Sequence, residues 1–194
     1  MSDEQPGPVT PTAHLSPTAR ERALRLAVDD IERHAAALGW DAPVFVFALV
    51  RTAGAIASAP SLAQELPPEA VSAAQEDPEH LTSIEQDGLP EASTIEELLG
   101  QLAWPEEVDG AAIVVERMVV PPEAERDMPE DSQAAVEYLM SHPDRQDVRM
   151  AAGVLRTGES WCALRSRSHD FDDAVAGSPD AVPGLVEALR ATFA

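Results

Sequence analysis

Apolar residues recur at three- and four-residue spacing from Ala23 to Leu38. Ala23, Leu24, Ala27, Val28, Ile31, Ala35 and Leu38 fall on one side of a helical wheel, with Arg, Asp and Glu between them. The spacing predicts an amphipathic helix over about 17–38, opened by Ser16-Pro17 and closed by Gly39. Val44 to Val50 (VFVFALV) is a continuous apolar run, too short for an ordinary helix and rich in β-branched and aromatic residues, so it predicts a buried strand. Ala111 to Val120 (AAIVVERMVV) carries the same signal over a longer stretch and ends at Pro121-Pro122. Leu81 to Gln86 reads as a weaker strand before Asp87-Gly88. Asp147 to Arg156 and Trp161 to Arg167 read as the two arms of a β-hairpin around a two-residue type II′ turn at Gly158-Glu159.

Helical segments fill the intervals. An Ala-rich stretch from Thr52 to Leu66 stops at Pro67-Pro68, and Glu69 to Gln75 adds a short turn. Ser93 caps a helix over 94–102, with Glu96 placed for a capping box. A short helix spans 132–140, and a closing helix over 179–193 sets Val182, Leu185, Val186 and Leu189 on one face. Residues 1–15 are expected to be a disordered tail and 123–131 an acidic, Pro-containing loop. The order is α, β, α, β, α, β, α, β, β, α, and the last hairpin requires an antiparallel pair. The expected fold class is α+β: a single domain over 16–194, with a mostly antiparallel sheet of about five strands packed against N-terminal and C-terminal helices.

Composition narrows the function. The chain has 194 residues, enough for one domain with a substantial core, and only 4% are aromatic, so aliphatic side chains must fill that core. A net charge of -22 disfavours nucleic-acid binding and anionic membranes and favours basic partners. All 13 basic residues are Arg, which removes Schiff-base and P-loop lysine chemistry. A single cysteine, Cys162, forms no intramolecular disulfide. The first fifteen residues have no apolar core of a signal peptide, and no stretch reaches the ~20 apolar residues of a membrane span, so a cytoplasmic location without membrane insertion is expected.

Few residues suggest chemistry. Cys162 lies mid-strand, where a small buried hydrophobe is the simpler reading than a nucleophile. His14, His34, His80, His142 and His169 make no metal-ligand spacing; His34, near a helix C-terminus, suits a surface role there. Asp170, Asp172 and Asp173 lack the glycine and closing glutamate of an EF-hand and read as a solvated loop. No GxSxG, GxGxxG or Walker motif is present. No catalytic residue, metal or cofactor is therefore expected, and an enzyme is the less favoured reading.

The arginines are the more informative signal. Arg149, Arg156, Arg165 and Arg167 crowd the hairpin of an acidic chain. Pairing across Gly158-Glu159 places Arg156 beside Trp161, with Arg165 and Arg167 on the same face, and Arg117 on the preceding strand lies near. Such a face suits carboxylate or anion binding with an indole platform. The alternative is a solvated face whose arginines pair with the protein's own acids. Trp104-Pro105 belongs either to that surface or to the core. A different arrangement is a pocket assembled from Arg149, Arg165, His142 and Asp144.

WPEEVDGAAIVVERMVVPPEAE (104–125), HPDRQDVRMAAGVLRTGESWCALR (142–165), VPGLVEALRATF (182–193) and ALRLAVDDIERHAAALGW (23–40) resemble a family of uncharacterised actinobacterial proteins known only by a locus-tag name. The resemblance implies a conserved cytoplasmic protein and transfers no activity, cofactor or site residue. The expected function is a non-catalytic interaction or adaptor protein. The alternatives are a small-molecule-binding domain or enzyme whose site is assembled from distant segments, and a structural homo-oligomer subunit such as a homodimer.

Overall fold

Thr18 starts the first helix. Its hydroxyl accepts the Glu21 N–H at 3.2 Å, and its own N–H donates to Glu21 Oε2 at 2.6 Å, a reciprocal capping box. Helix α1 (Ala19–Ala37) therefore opens two residues beyond the predicted Pro17 start. The computed structural model describes residues 16–194; the predicted tail over 1–15 lies outside the described residues.

The sheet is built from six strands: β1 (Phe45–Arg51), β2 (Leu81–Glu85), β3 (Gly110–Val119), β4 (Gln146–Leu155), β5 (Ser160–Ser166) and β6 (Ala176–Ser178). Their order is β2-β1-β3-β4-β5-β6, and every pairing is antiparallel. The fold is thus α+β, with one strand more than expected. That strand, β6, is three residues long, too short for periodicity to reveal, and it closes the edge beside β5.

The remaining helices are α2 (Thr52–Ser58), α3 (Leu62–Glu65), α4 (Pro68–Glu76), α5 (Ile95–Gly100), α6 (Pro122–Arg126), α7 (Ser132–Ser141) and α8 (Pro183–Ala191). The Ala-rich stretch predicted as one helix is two, because Pro60 cannot continue the hydrogen-bonded ladder beyond α2. The cap of α5 is Thr94, one residue later than Ser93: its hydroxyl accepts the Glu97 N–H at 3.1 Å. The segment expected as a loop over 123–131 opens inside α6, which runs to Arg126.

Alternation divides the strands between two cores. One face presents Phe47, Leu49, Ala112, Val114, Ala151 and Ala163 to the buried stripe of α1. Small residues let the helix approach: a Cβ on Gly153 would sit 2.5 Å from a Val28 methyl. The other face presents Val46, Ala111, Ile113, Val115, Ala152, Val154 and Cys162 to Leu98 and Leu99 of α5 and Val186 and Leu189 of α8.

The β4–β5 turn has three residues, Arg156 to Gly158, where two were predicted. Leu155 N–H donates to the Glu159 carbonyl and Gly158 N–H to the Leu155 carbonyl, both at 2.9 Å. Gly158 holds φ +108, a backbone that favours glycine, and so closes the longer loop. The extra loop residue separates Arg156 from the face that Trp161 and Arg165 share.

Candidate functional site: an interior arginine row and the loop it holds

Register sets the row. Glu116 of β3 lies opposite Arg149 of β4, which lies opposite Arg165 of β5. All three point to the α1 face, where Glu32 descends from the last turns of the helix. Glu32, Arg149 and Arg165 are at most 2% exposed. Charges so buried persist only when paired and hydrogen-bonded.

Arg165 is the most heavily engaged. Its Nε and Nη2 donate to the two carboxylate oxygens of Glu32 at 2.7 and 2.8 Å, a bidentate fork. Its Nη1 donates to Asp170 at 3.2 Å and its Nη2 also to Asp172 at 2.7 Å. The Glu32 carboxylate raises the Arg165 pKa further above its ordinary value, against the opposing effect of burial.

Arg149 donates through Nη2 to Glu116 at 2.8 Å and to the carbonyl of Gly39, and its guanidinium lies 4.4 Å from the Trp40 ring centroid. Its Nη1 stands 4.0 Å from Glu32 and is buried without a hydrogen-bond partner among the described residues.

Arg167 forks onto Asp41 at 3.0 Å through both terminal nitrogens, with Asp147 at 3.8 Å and the Trp40 centroid at 5.5 Å. Asp41 takes φ +65, and its N–H donates to Glu116 at 2.7 Å. The Arg167 hydrogen bonds and charge hold the Asp41 carboxyl below the usual carboxylate range.

These bonds tie the 39–41 turn and the 167–174 loop to the sheet. Trp40 Nε1 donates to Asp170 at 2.9 Å, and that bond leads, with Arg165 next, in holding the Asp170 carboxyl below its ordinary value. Asp170 and Asp172 thus both reach inward to one guanidinium. Phe171 between them projects outward and is 64% exposed. Hydrogen bonds from Phe171 N–H to the His169 carbonyl and from Ala174 N–H to the Phe171 carbonyl, both 3.0 Å, fix the loop backbone on either side.

The other predicted residues lie elsewhere. Arg156 is a correction: with the three-residue turn it falls on the opposite face, not beside Trp161. There its Nε donates to the Val108 carbonyl at 2.7 Å, its Nη2 to the carbonyls of Trp104 and Pro105 at 3.0 and 2.9 Å, and its guanidinium covers Phe193 at 4.5 Å. Trp161 pairs with Gly153, donates from its indole to Asp29 at 3.1 Å and carries Arg25 at 4.9 Å. Arg117 is exposed on the opposite face from the row.

His142 and Asp144 sit just beyond α7, bonded to each other at 3.2 Å, and no bond of Arg149 or Arg165 reaches them. Cys162 is fully buried, and burial pushes its thiol up. Among the described residues, no three His, Cys, Asp or Glu side chains are grouped to hold a metal, and no helix is long and apolar enough to cross a membrane.

Sequence reasoning missed Glu32, Trp40, Glu116, Asp170, Asp172 and Phe171. A signal existed for Glu32: it stands four residues after Val28 and one after Ile31, on the apolar stripe of α1. A charge at a core position predicts a buried partner. Glu116 sits likewise in phase with Val114 on a buried strand.

Fold and site together define a six-stranded antiparallel α+β protein with helices on both sheet faces and an interior ion-pair row beneath one of them. The chain belongs to the PPA1309-like protein family, whose model matches residues 24–194. That family carries a locus-tag name and has no known function. No curated protein and no solved structure matches the chain.

Proposed function

We propose that the protein is a non-catalytic interaction protein that engages a partner through the 167–174 loop, with Phe171 as its anchor. The observation that carries this reading is the exposed Phe171 ring held between two aspartates clamped on Arg165. Seating such a ring in a partner's apolar pocket removes enough surface from water to contribute about 1.5–3 kcal/mol. The loop is already ordered by its ion pairs, so binding spends little further conformational entropy on it.

The loop itself carries Asp170, Asp172 and Asp173 against Arg167 and His169, Asp41 binds Arg167, and the whole chain is acidic. A partner pocket rimmed by Lys or Arg is the complementary surface. In this reading Arg149, Arg165 and Arg167 position the loop and do not touch the partner, while Arg156 and Trp161 take no part. A cytoplasmic setting, where the free Cys162 stays reduced, belongs to the same proposal.

The test compares co-purification by the wild-type chain and Phe171→Ser, with urea unfolding of both. Phe171→Ser is expected to fold with stability within about 0.5 kcal/mol of wild type, as for an exposed site, and to lose a partner that wild type retains. An identical partner set for both proteins overturns the proposal.

A second reading, a small-ligand domain, is supported by a cleft of about 290 Å³ between α1 and β5–β6, lined by Arg25, Asp29, Glu32, Arg33, Trp161 and Asp172 among others. Phe171 does not line that cleft, so a ligand bound there is expected to be indifferent to Phe171→Ser.

A further inference from the structure

The sheet face that meets α5 and α8 is not covered along its whole width. Those two helices lie over β3, β4 and the Val46 end of β1. Further along, Ala48 of β1 lies opposite Ile84 of β2 in register, and both point to this face with Val50. Among the described residues, no helix caps the sheet here. Ala48, Val50 and Ile84 instead line an open groove of about 340 Å³ together with Leu89, Leu102 and Trp104. Val50 continues the floor into a second depression of about 370 Å³, walled by Ala55 and Leu62 of α2 and α3. Ile84, on an edge strand, is 48% exposed.

We propose that this groove is a docking site for an amphipathic helix with a basic flank, supplied by a partner protein. The floor is an apolar sheet surface in a layer where the neighbouring strands already carry helices, so a helix extends the existing packing. The rim selects the charge. Asp87, Glu106 and Glu107 stand exposed along it; among the described residues Arg51 is the one basic group lining the two depressions, and it is already engaged, as is nearby Arg156. The Arg51 Nε donates to Asp109 at 2.8 Å, and Arg156 is bound to the carbonyls of Val108, Trp104 and Pro105. A helix placing Leu-type side chains on the floor and Lys or Arg toward the rim meets both requirements. The site shares no residue with the Phe171 loop, so either surface can fail while the other stands.

Trp104 supplies the readout. Its indole donates to Thr192 at 2.8 Å and stacks on Phe193 beside the groove, whereas Trp40 and Trp161 lie under the α1 face. The full chain labelled with 5-fluorotryptophan gives separate fluorine resonances for these indoles, assigned by single Trp→Phe variants. The probe is a synthetic leucine–lysine peptide sequenced as an amphipathic helix. The control peptide has the same composition in strict alternation, which favours a strand.

The expected result is that the helical peptide shifts the Trp104 resonance and leaves those of Trp40 and Trp161 in place. Ile84→Asp is expected to weaken that binding about tenfold or more. Glu106→Gln with Glu107→Gln, on an exposed loop where folding is not at risk, should weaken it several-fold and flatten its salt dependence. Three results overturn the proposal: shifts centred on Trp40 or Trp161, equal or tighter binding of the alternating peptide, which assigns the free β2 edge instead, or unchanged affinity in both variants.

Discussion

Under α1 the central strands carry Arg149 and Arg165 next to Glu32 and Glu116, four ionised groups in a row of which three are essentially without solvent contact. Under α5 and α8, the same strands three to five residues away carry Ile113, Val154 and Cys162 against Leu99 and Leu189. Both faces are buried to a similar degree, yet they are held by different physics. Burial of apolar surface stabilises in proportion to the area removed from water, so that core loses stability by degrees as atoms are deleted. A desolvated charge costs several kcal/mol and is offset only by its partners, so the row is sensitive to imbalance more than to volume.

The largest effect should come from unbalancing the row. Glu32→Leu leaves Arg165 and Arg149 facing an apolar side chain, and a loss of about 3–5 kcal/mol is expected in urea unfolding. Adding Arg165→Met in the same chain is expected to recover part of that loss, because the guanidinium left without Glu32 is gone while Asp170 and Asp172 lose their partner with it. If Glu32→Leu costs less than the removal of a few methylenes would, the two faces are not held differently.

Leu189→Ala is the matching change on the apolar face, with an expected cost of about 3 kcal/mol from lost burial plus the cavity left behind. No second truncation should restore it, since nothing there is unbalanced. Recovery on truncating a neighbour such as Val154 would break the contrast.

The smallest effect concerns pH. The Asp170 and Asp41 carboxyls titrate below their ordinary range, the first through Trp40 and Arg165 and the second through Arg167. A lowered folded pKa means that the clamp is fully present above the unfolded value of about 3.9 and is lost as pH falls through the lower folded value. Amide exchange over 167–174 should therefore stay protected down to about pH 4 and open below it, ahead of the α8 core. Opening at neutral pH would show that these carboxylates do not hold the loop.

The elements themselves were legible because their causes are local. The α1 stripe, the apolar runs of β1 and β3 and the two arms of the hairpin each bury a face that a short window of sequence displays. Glu32 was legible as an anomaly on that stripe. Arg156 was misplaced because one residue of turn length reverses the face of everything counted from the turn, and local sequence permits both a two- and a three-residue loop around Gly158. β6 and α6 are too short for any period to accumulate.

The residues alone determined the strongly negative charge, the lysine-free cation set, the main helices and strands and the stripe each would bury. Only the folded chain decided that Arg165 meets Glu32 across 133 positions of sequence, that Arg149 stacks on Trp40, and that Phe171 faces outward. The reason is one of range. Hydrophobic periodicity is written within a few residues, whereas the partner of a buried charge is fixed by strand register and helix docking, which join positions that no local pattern relates.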